Sequence, residues 1–450
     1  MKLNRFISLC FMIYCSNISA VEYTYSFNTG FEDTNNITQL VDGPAGQVID
    51  YGLGFSFANS LQKEWDLDLT GRMSKSSYSD NDLSDDTNKE LQGIAIYKSS
   101  TSNFVFTTLA DISQAPVNRF QTQEVNNIRD QFVYAIMPSY FYSINPADRI
   151  FASYTLVDFN LEDLDDIQNA GQASSSFGEN ILVNYAKRLN ASNTIAFNFR
   201  SGKTDFDDDL IAGGGLVQLA VDYDQTDVFL SWIVAGQTNQ LQFELGKSEI
   251  DDQLDRKQSR DSRLVSIIRQ LNRTDSLSLS YSEGFNSPLS NIQASNTITV
   301  NQQNNNITAA QETEQYNLGY TVDGSALDTT ISLSKIKLQQ TFTENIEERR
   351  TASINVRYIL SRFLERSGRS NISLDYSKSE SEFDSIATNI ESNDIETYGV
   401  SFNYVYSSNL LFSLSYGVRN ALQIDTSSIQ SNFDSKSTSL TFVYSDTGRL

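Results

Sequence analysis

The residues of this chain that could carry chemistry are mostly carboxylates. Asp and Glu number 56 against 33 Lys and Arg, histidine is absent, and the two cysteines stand at positions 10 and 15. Paired carboxylates are the raw material of general acid–base catalysis. Asp66 and Asp68 form such a pair, and on an extended chain positions i and i+2 share a face. So acidic a sequence produces pairs of that spacing by chance, and no catalytic residue is assigned. Without histidine there is no Ser-His-Asp or Cys-His triad, no histidine-ligated zinc and no imidazole pH switch.

Grouped carboxylates also suggest calcium. The clusters are Ser79–Glu90, Glu162–Asp166, Asp205–Asp209 and Glu249–Asp255. Asp80-Asn81-Asp82 opens like a calcium loop, but Asp85 stands where the turn glycine belongs and Leu91 where the closing glutamate belongs. The clusters read as solvated loop tips. A further reading is that divalent cations bridge them to lipopolysaccharide phosphates. Gly213-Gly214-Gly215 lacks the Lys-Ser/Thr of a phosphate loop. No cofactor and no metal site are assigned.

The elements that must position these groups show in Tyr398–Val418. Tyr398, Val400, Phe402, Tyr404 and Tyr406 alternate with small polar residues. After Ser407-Ser408-Asn409, so do Leu410, Phe412, Leu414, Tyr416 and Val418. A period of two makes two faces only on an extended chain, so the stretch predicts a β-hairpin. The pattern recurs along the chain as strand, short turn, strand, long polar loop. Residues 185–199 and 268–281 repeat it visibly, each with an apolar strand end, a polar turn and renewed alternation. Leu216–Ala235 reads as one long or bulged strand, and the last strand ends at Tyr444.

About 20 strands result, with a range of 16–22. Short turns alternating with long loops and an even strand number characterise outer-membrane barrels. The expected fold is therefore all-β: a single transmembrane antiparallel up-and-down β-barrel over residues 21–450, each strand crossing with about 9–11 residues. Hydrophobic residues make up 39% of the chain and prolines number 5, which fits one large barrel with a half-polar wall better than several domains. Lys2 and Arg5, the apolar run Phe6–Tyr14 and a small-residue site ending at Ala20 read as a signal peptide, residues 1–20. Its removal leaves no cysteine, and takes the formal charge from −23 to −25 by loss of Lys2 and Arg5. Such acidity disfavours nucleic acid as a partner. The expected location is the outer membrane of a Gram-negative bacterium, with periplasmic termini. Histidine-dependent barrel enzymes of the phospholipase and omptin types do not fit.

If the aromatic face meets lipid, the other face lines the lumen. Asp50, Asp66, Asp68, Arg72, Asn198, Arg200, Glu244, Arg357, Asp375 and Asn403 fall there, with Asn184 and Asn317. They make either a charge ring that sets selectivity or a set of groups that satisfy one another across a plugged lumen. Trp65 is expected at a membrane interface.

The hairpin Tyr404–Tyr416, of the type Tyr-x-x-Ser…Asn-x-Leu-x-Phe-x-Leu-x-Tyr, resembles outer-membrane barrels encoded with exopolysaccharide and exosortase (PEP-CTERM) systems. Phe27–Ile37 is similar to that family's first strand and loop. The resemblance implies a porin-like, non-enzymatic conduit serving exopolysaccharide export or assembly. Expected partners are outer-membrane lipid and lipopolysaccharide, the barrel-assembly machinery and exopolysaccharide. Two other readings stand: a closed structural barrel whose acidic loops bind surface polymer or a partner, and a secreted soluble β-rich adhesin.

Overall fold

A computed structural model describes residues 22–36, 44–59, 64–79, 85–116, 128–161, 175–206, 222–253, 256–286, 311–340, 346–360, 370–385, 388–424 and 430–449. The first quarter holds β1 (Glu22–Thr34), β2 (Gly46–Asn59), β3 (Trp65–Tyr78), β4 (Asp86–Lys98) and β5 (Phe104–Pro116). Next come β6 (Ile128–Ser143), β7 (Asp148–Leu161), β8 (Ser176–Arg188), β9 (Asn193–Phe206) and β10 (Tyr223–Ala235). The third quarter has β11 (Asn239–Asp252), β12 (Lys257–Gln270), β13 (Asp275–Asn286), β14 (Gln311–Asp323) and β15 (Leu327–Gln340). The chain closes with β16 (Ile346–Ile359), β17 (Asn371–Ser385), β18 (Thr388–Val405), β19 (Leu410–Ile424) and β20 (Gln430–Arg449).

Each strand pairs antiparallel with its neighbours in sequence, and β1 pairs with both β2 and β20. The 20 strands are therefore a closed up-and-down barrel, and closure leaves no strand edge unpaired. The strand count agrees with the sequence reading. The alternation of short turns with longer connections holds over most of the first fifteen strands, whereas from β15 on the longest connection, 360–370, lies on the short-turn side. The start of β1 and the end of β20 lie on the short-turn side, where Glu22 pairs with Arg449.

Three expectations change. The strands run 12 to 20 residues, not 9–11, because pairing continues past the apolar belt on the long-loop side. β10 starts at Tyr223, and the Leu216–Val221 part of the expected strand lies outside the described residues. β20 does not stop at Tyr444. Asp446 pairs with Tyr25 in register, and the Tyr25 hydroxyl donates to its carboxylate at 2.9 Å. Residues 1–20, Glu162–Asp166, Gly213–Gly215, and residues 80–84, 207–209 and 254–255 of the other acidic clusters also lie outside the described residues.

The repeat seen in sequence is one turn geometry. Asn145, Asn190 and Asn272 each turn the side-chain oxygen onto two following backbone amides, at 2.8–2.9 Å, 2.9–3.0 Å and 2.8–2.9 Å. Each turn is also closed by backbone bonds to the carbonyl of the first residue of the next strand. Asn does this well because its short side chain mimics a backbone turn. Asn190→Ala is expected to cost about 1 kcal/mol, read as a lower urea midpoint for the detergent-folded barrel.

The outer face carries the large apolar side chains, exposed rather than buried: Tyr25, Phe27, Leu53, Leu245, Leu279, Leu333, Leu374, Val400 and Leu414 among them. For a soluble protein this would be an aggregation surface. For a barrel it is the lipid-facing belt. Glycines let aromatic rings lie flat on it. A Cβ on Gly71 would stand 2.5 Å from the Phe55 ring, its cross-strand partner.

Candidate conduit: the inner wall of the barrel

Tyrosines frame the belt. Near its long-loop edge Tyr154, Tyr281, Tyr316 and Tyr398 donate to Glu179, Glu283, Glu314 and Glu396 at 2.6–3.0 Å. On the short-turn side Tyr25, Tyr185 and Tyr320 donate to Asp446, Asp148 and Asp275 at 2.8–3.4 Å. Such rings sit with their bodies in lipid and their hydroxyls among polar groups. Trp65 lies on this outer face at the short-turn end, its ring centroid 4.9 Å from that of Tyr97. The chain is an outer-membrane β-barrel.

Strand alternation then puts the opposite side chains on the inner wall, and cross-strand register gathers them into rows. The ten residues singled out above all fall there, but they do not form one ring. Asp50 accepts from Ser76 at 2.5 Å, and Asp66 pairs with Lys98 at 2.5 Å. Asp68 faces Ala58 and Ile94, and Arg72 faces Gly54 and Glu90. Arg357 forms an ion pair with Asp328, Asp375 accepts from Asn355, and Asn403 donates to Asn371 at 3.0 Å.

A polar chain crosses four strands between β8 and β11. Asn184 donates to Asn198 at 2.5 Å, Asn198 to Ser231 at 2.7 Å and Ser231 to Glu244 at 3.2 Å; Gln242 also donates to Glu244, at 3.0 Å. Toward the long loops Arg200 meets Asp227 at 3.5 Å and lies 6.0 Å from the Phe229 ring centroid. Asp227 also accepts from Gln225 at 3.0 Å and from Ser248. At that rim Phe206, Tyr223, Ile250 and Phe285 form a buried apolar cluster.

From β13 round to β20 hydroxyl rows cross the wall between charged groups, the Arg357–Asp328 and Arg349–Glu347 pairs and Asp375. One register row reads Ser278, Gly319, Ser332, Ser353, Ser377 and Thr397. Another reads Ser373, Ser401, Ser415 and Ser439, and meets Glu32 where the barrel closes. Ser332–Ser353, Ser373–Ser401 and Ser415–Ser439 are hydrogen-bonded at 2.6 Å each. Acidic groups collect instead on β1 to β5, at Glu32, Asp50, Asp66, Asp68, Glu90 and Asp111. The wall is thus richest in acids on β1–β5 and in hydroxyls on β13–β20.

Sequence reading missed Lys98, Asp227 and Asp328. Lys98 and Asp328 stand at strand ends, where alternation is weakest, and Asp227 sits within the Leu216–Ala235 stretch. Each would have been found by carrying the strand's alternation one or two residues further. Among the described residues no cluster of three acidic side chains is arranged to hold a metal ion. In the Ser79–Glu90 cluster, Lys75 reaches Asp85 at 2.6 Å and holds its carboxyl below the usual carboxylate range.

No protein-family model matches the chain, and no curated protein does. Solved structures do. The FrpB iron transporter from Neisseria meningitidis (F5-1 variant), in its apoprotein form, superposes with a TM-score of 0.50 at 10% identity, covering 94% of this chain and 81% of that one. The siderophore receptor PirA from Acinetobacter baumannii does so with a TM-score of 0.50 at 11% identity, covering 94% and 80%. At such identities the likeness is one of fold.

Proposed function

We propose that the barrel is a non-enzymatic, porin-like conduit for hydrophilic solutes, and that its cargo is sugar polymer or its fragments. The observation that carries this is the set of hydroxyl rows on β13–β20. Rows of Ser and Thr offer donors and acceptors to a polyhydroxylated solute. They hold no charge whose water such a solute would have to displace at a cost. Their short side chains also keep the bore wide.

The resemblance of Tyr404–Tyr416 and Phe27–Ile37 to exopolysaccharide-associated barrels points the same way, toward export or assembly of a surface polymer. Iron and siderophores, named for the two similar structures, are not carried over at 10–11% identity.

Planar-bilayer recording tests the reading. Purified barrel should give stable conductance steps with a weak cation preference, because acids concentrate on the β1–β5 sector. Neutral oligosaccharides should reduce the current in proportion to their concentration. Anion selectivity would overturn the charge argument. Absence of any conductance would favour a closed scaffold whose loops bind polymer.

A further inference from the structure

One inward row is built unlike the rest of the wall. It reads Phe141, Phe151, Asn184, Asn198 and Phe229, each the register partner of the next across β6–β10. It starts near the short-turn end of β6 and reaches mid-strand on β10. Four inter-strand steps make it about 19 Å long. In a ring of twenty strands β6 and β7 stand ten places from β16 and β17, so the row begins across the lumen from the hydroxyl rows.

The aromatic end is open. Tyr140 and Tyr142 take the outer face of β6, and Phe141 between them takes the inner one. Phe141 is 47% exposed there, whereas Phe159, Phe206 and Tyr223 on the inner wall are buried. Its ring centroid lies 4.7 Å from that of Phe151, with the ring planes at 40°. On the outer wall an exposed ring meets lipid. On the inner wall it meets water, and an open aromatic pair beside fixed polar groups marks a ligand surface.

The polar groups follow directly. Asn184 donates its Nδ2 to Asn198 at 2.5 Å, and Asn198 donates to Ser231 at 2.7 Å. Ser231 and Gln242 both donate to Oε1 of Glu244, at 3.2 Å and 3.0 Å. These bonds hold the side chains in place and leave Asn184 Oδ1 and Glu244 Oε2 as acceptors. At the far end Arg200 stands 6.0 Å from the Phe229 ring centroid and closes the row.

A ligand that fits must offer an apolar face to the rings and hydroxyl donors to the amide and carboxylate oxygens beside them. A pyranose has both, an apolar C–H face and a rim of hydroxyls. A polymer of such units repeats them along the row. An alkyl chain lacks the donors. An anionic polymer would meet Glu244 and a chain whose formal charge is −23.

We propose that this row is a binding track for a linear chain of neutral hexopyranoses. One unit stacks on Phe141 and Phe151, and the units after it bond to Asn184 and Glu244. The inference rests on the reading of the barrel as a sugar conduit and adds to it one saturable site.

Planar-bilayer recording tests this with maltohexaose and cellohexaose as probes and polyethylene glycol of the same mass as a size control. Polyethylene glycol carries no hydroxyls along its length and should lower the current in proportion to its concentration. At least one hexasaccharide should lower it along a curve that saturates. F141A/F151A should raise the half-saturating concentration by at least about tenfold, since the apolar area of two rings is lost. F141W, which keeps a flat ring, should leave it nearly unchanged. N184L, which keeps the volume and removes the acceptor, should raise it several-fold.

Hexasaccharide curves no different from that of polyethylene glycol overturn the proposal, as does an unchanged half-saturating concentration in F141A/F151A. A barrel that conducts under either result remains a conduit, so the two readings fail separately. If the barrel does not conduct, calorimetry of the detergent-folded protein with the same hexasaccharides decides. Saturable heat that is lost in F141A/F151A upholds the site, and no heat from either sugar overturns it. Heat-modifiable migration on gels reports folding of each variant. If the double variant does not fold, the comparison of the hexasaccharides with polyethylene glycol on the unmodified barrel decides the matter.

Discussion

Leu414→Arg is expected to destabilise the barrel by about 2–4 kcal/mol or to stop its assembly, and Ser415→Arg to cost far less. The two positions are adjacent on β19 and differ in face. Leu414 lies between Phe402 and Leu440 on the outer wall and is half exposed, which here means exposed to lipid. It sits midway along the outward run from Leu410 to Val418, where a guanidinium is farthest from either interface. Ser415 lies between Ser401 and Ser439 and bonds the latter at 2.6 Å. An arginine there would lose that bond but keep water. Urea titration of barrel folded into lipid vesicles, followed by tryptophan fluorescence, measures both. Equal tolerance of the two substitutions would mean that the faces are reversed or that the barrel does not lie in a membrane.

Asp227→Ala is the second large effect, expected at about 3–5 kcal/mol. One buried carboxylate accepts from Arg200, Gln225 and Ser248. The side chain of Asp227 is 7% exposed and that of Arg200 18%, so removing the acid leaves a cation and two polar groups without their acceptor in a poorly hydrated corner. Arg200 would keep only its contact with the Phe229 ring. The double variant Arg200→Met/Asp227→Leu should recover most of the loss, because replacing both members of a buried pair is nearly neutral. The same urea titration distinguishes the cases, and Trp232 on β10 reports locally. A single-variant loss below about 1 kcal/mol, the range of exposed pairs, would show that water reaches the site freely.

Much of this fold was legible because a barrel wall writes its two environments into the chain residue by residue. Phe402, Leu414 and Leu440 alternate with Ser401, Ser415 and Ser439, and the alternation names both faces before any pairing is known. The strand ends were less legible. Beyond the belt, the outer face turns polar at Lys335, Arg350, Lys378 and Glu396, so the period-two signal fades while the backbone pairing continues. At the short-turn end the last strand likewise reads as ending at Tyr444, although Asp446 still pairs with Tyr25.

The amino-acid sequence by itself determined the class of architecture, the strand number and the alternation of two faces along each strand. These follow from local alternation and turn chemistry, which need no knowledge of distant residues. Only the tertiary structure decided which inward residues meet. Register brings Arg200 to Asp227, separates the acidic sector on β1–β5 from the hydroxyl rows on β13–β20, and sets Phe151 beside Asn184. Register comes from closing twenty strands into one ring, and each strand's offset depends on all the others. No single segment of the chain carries that information.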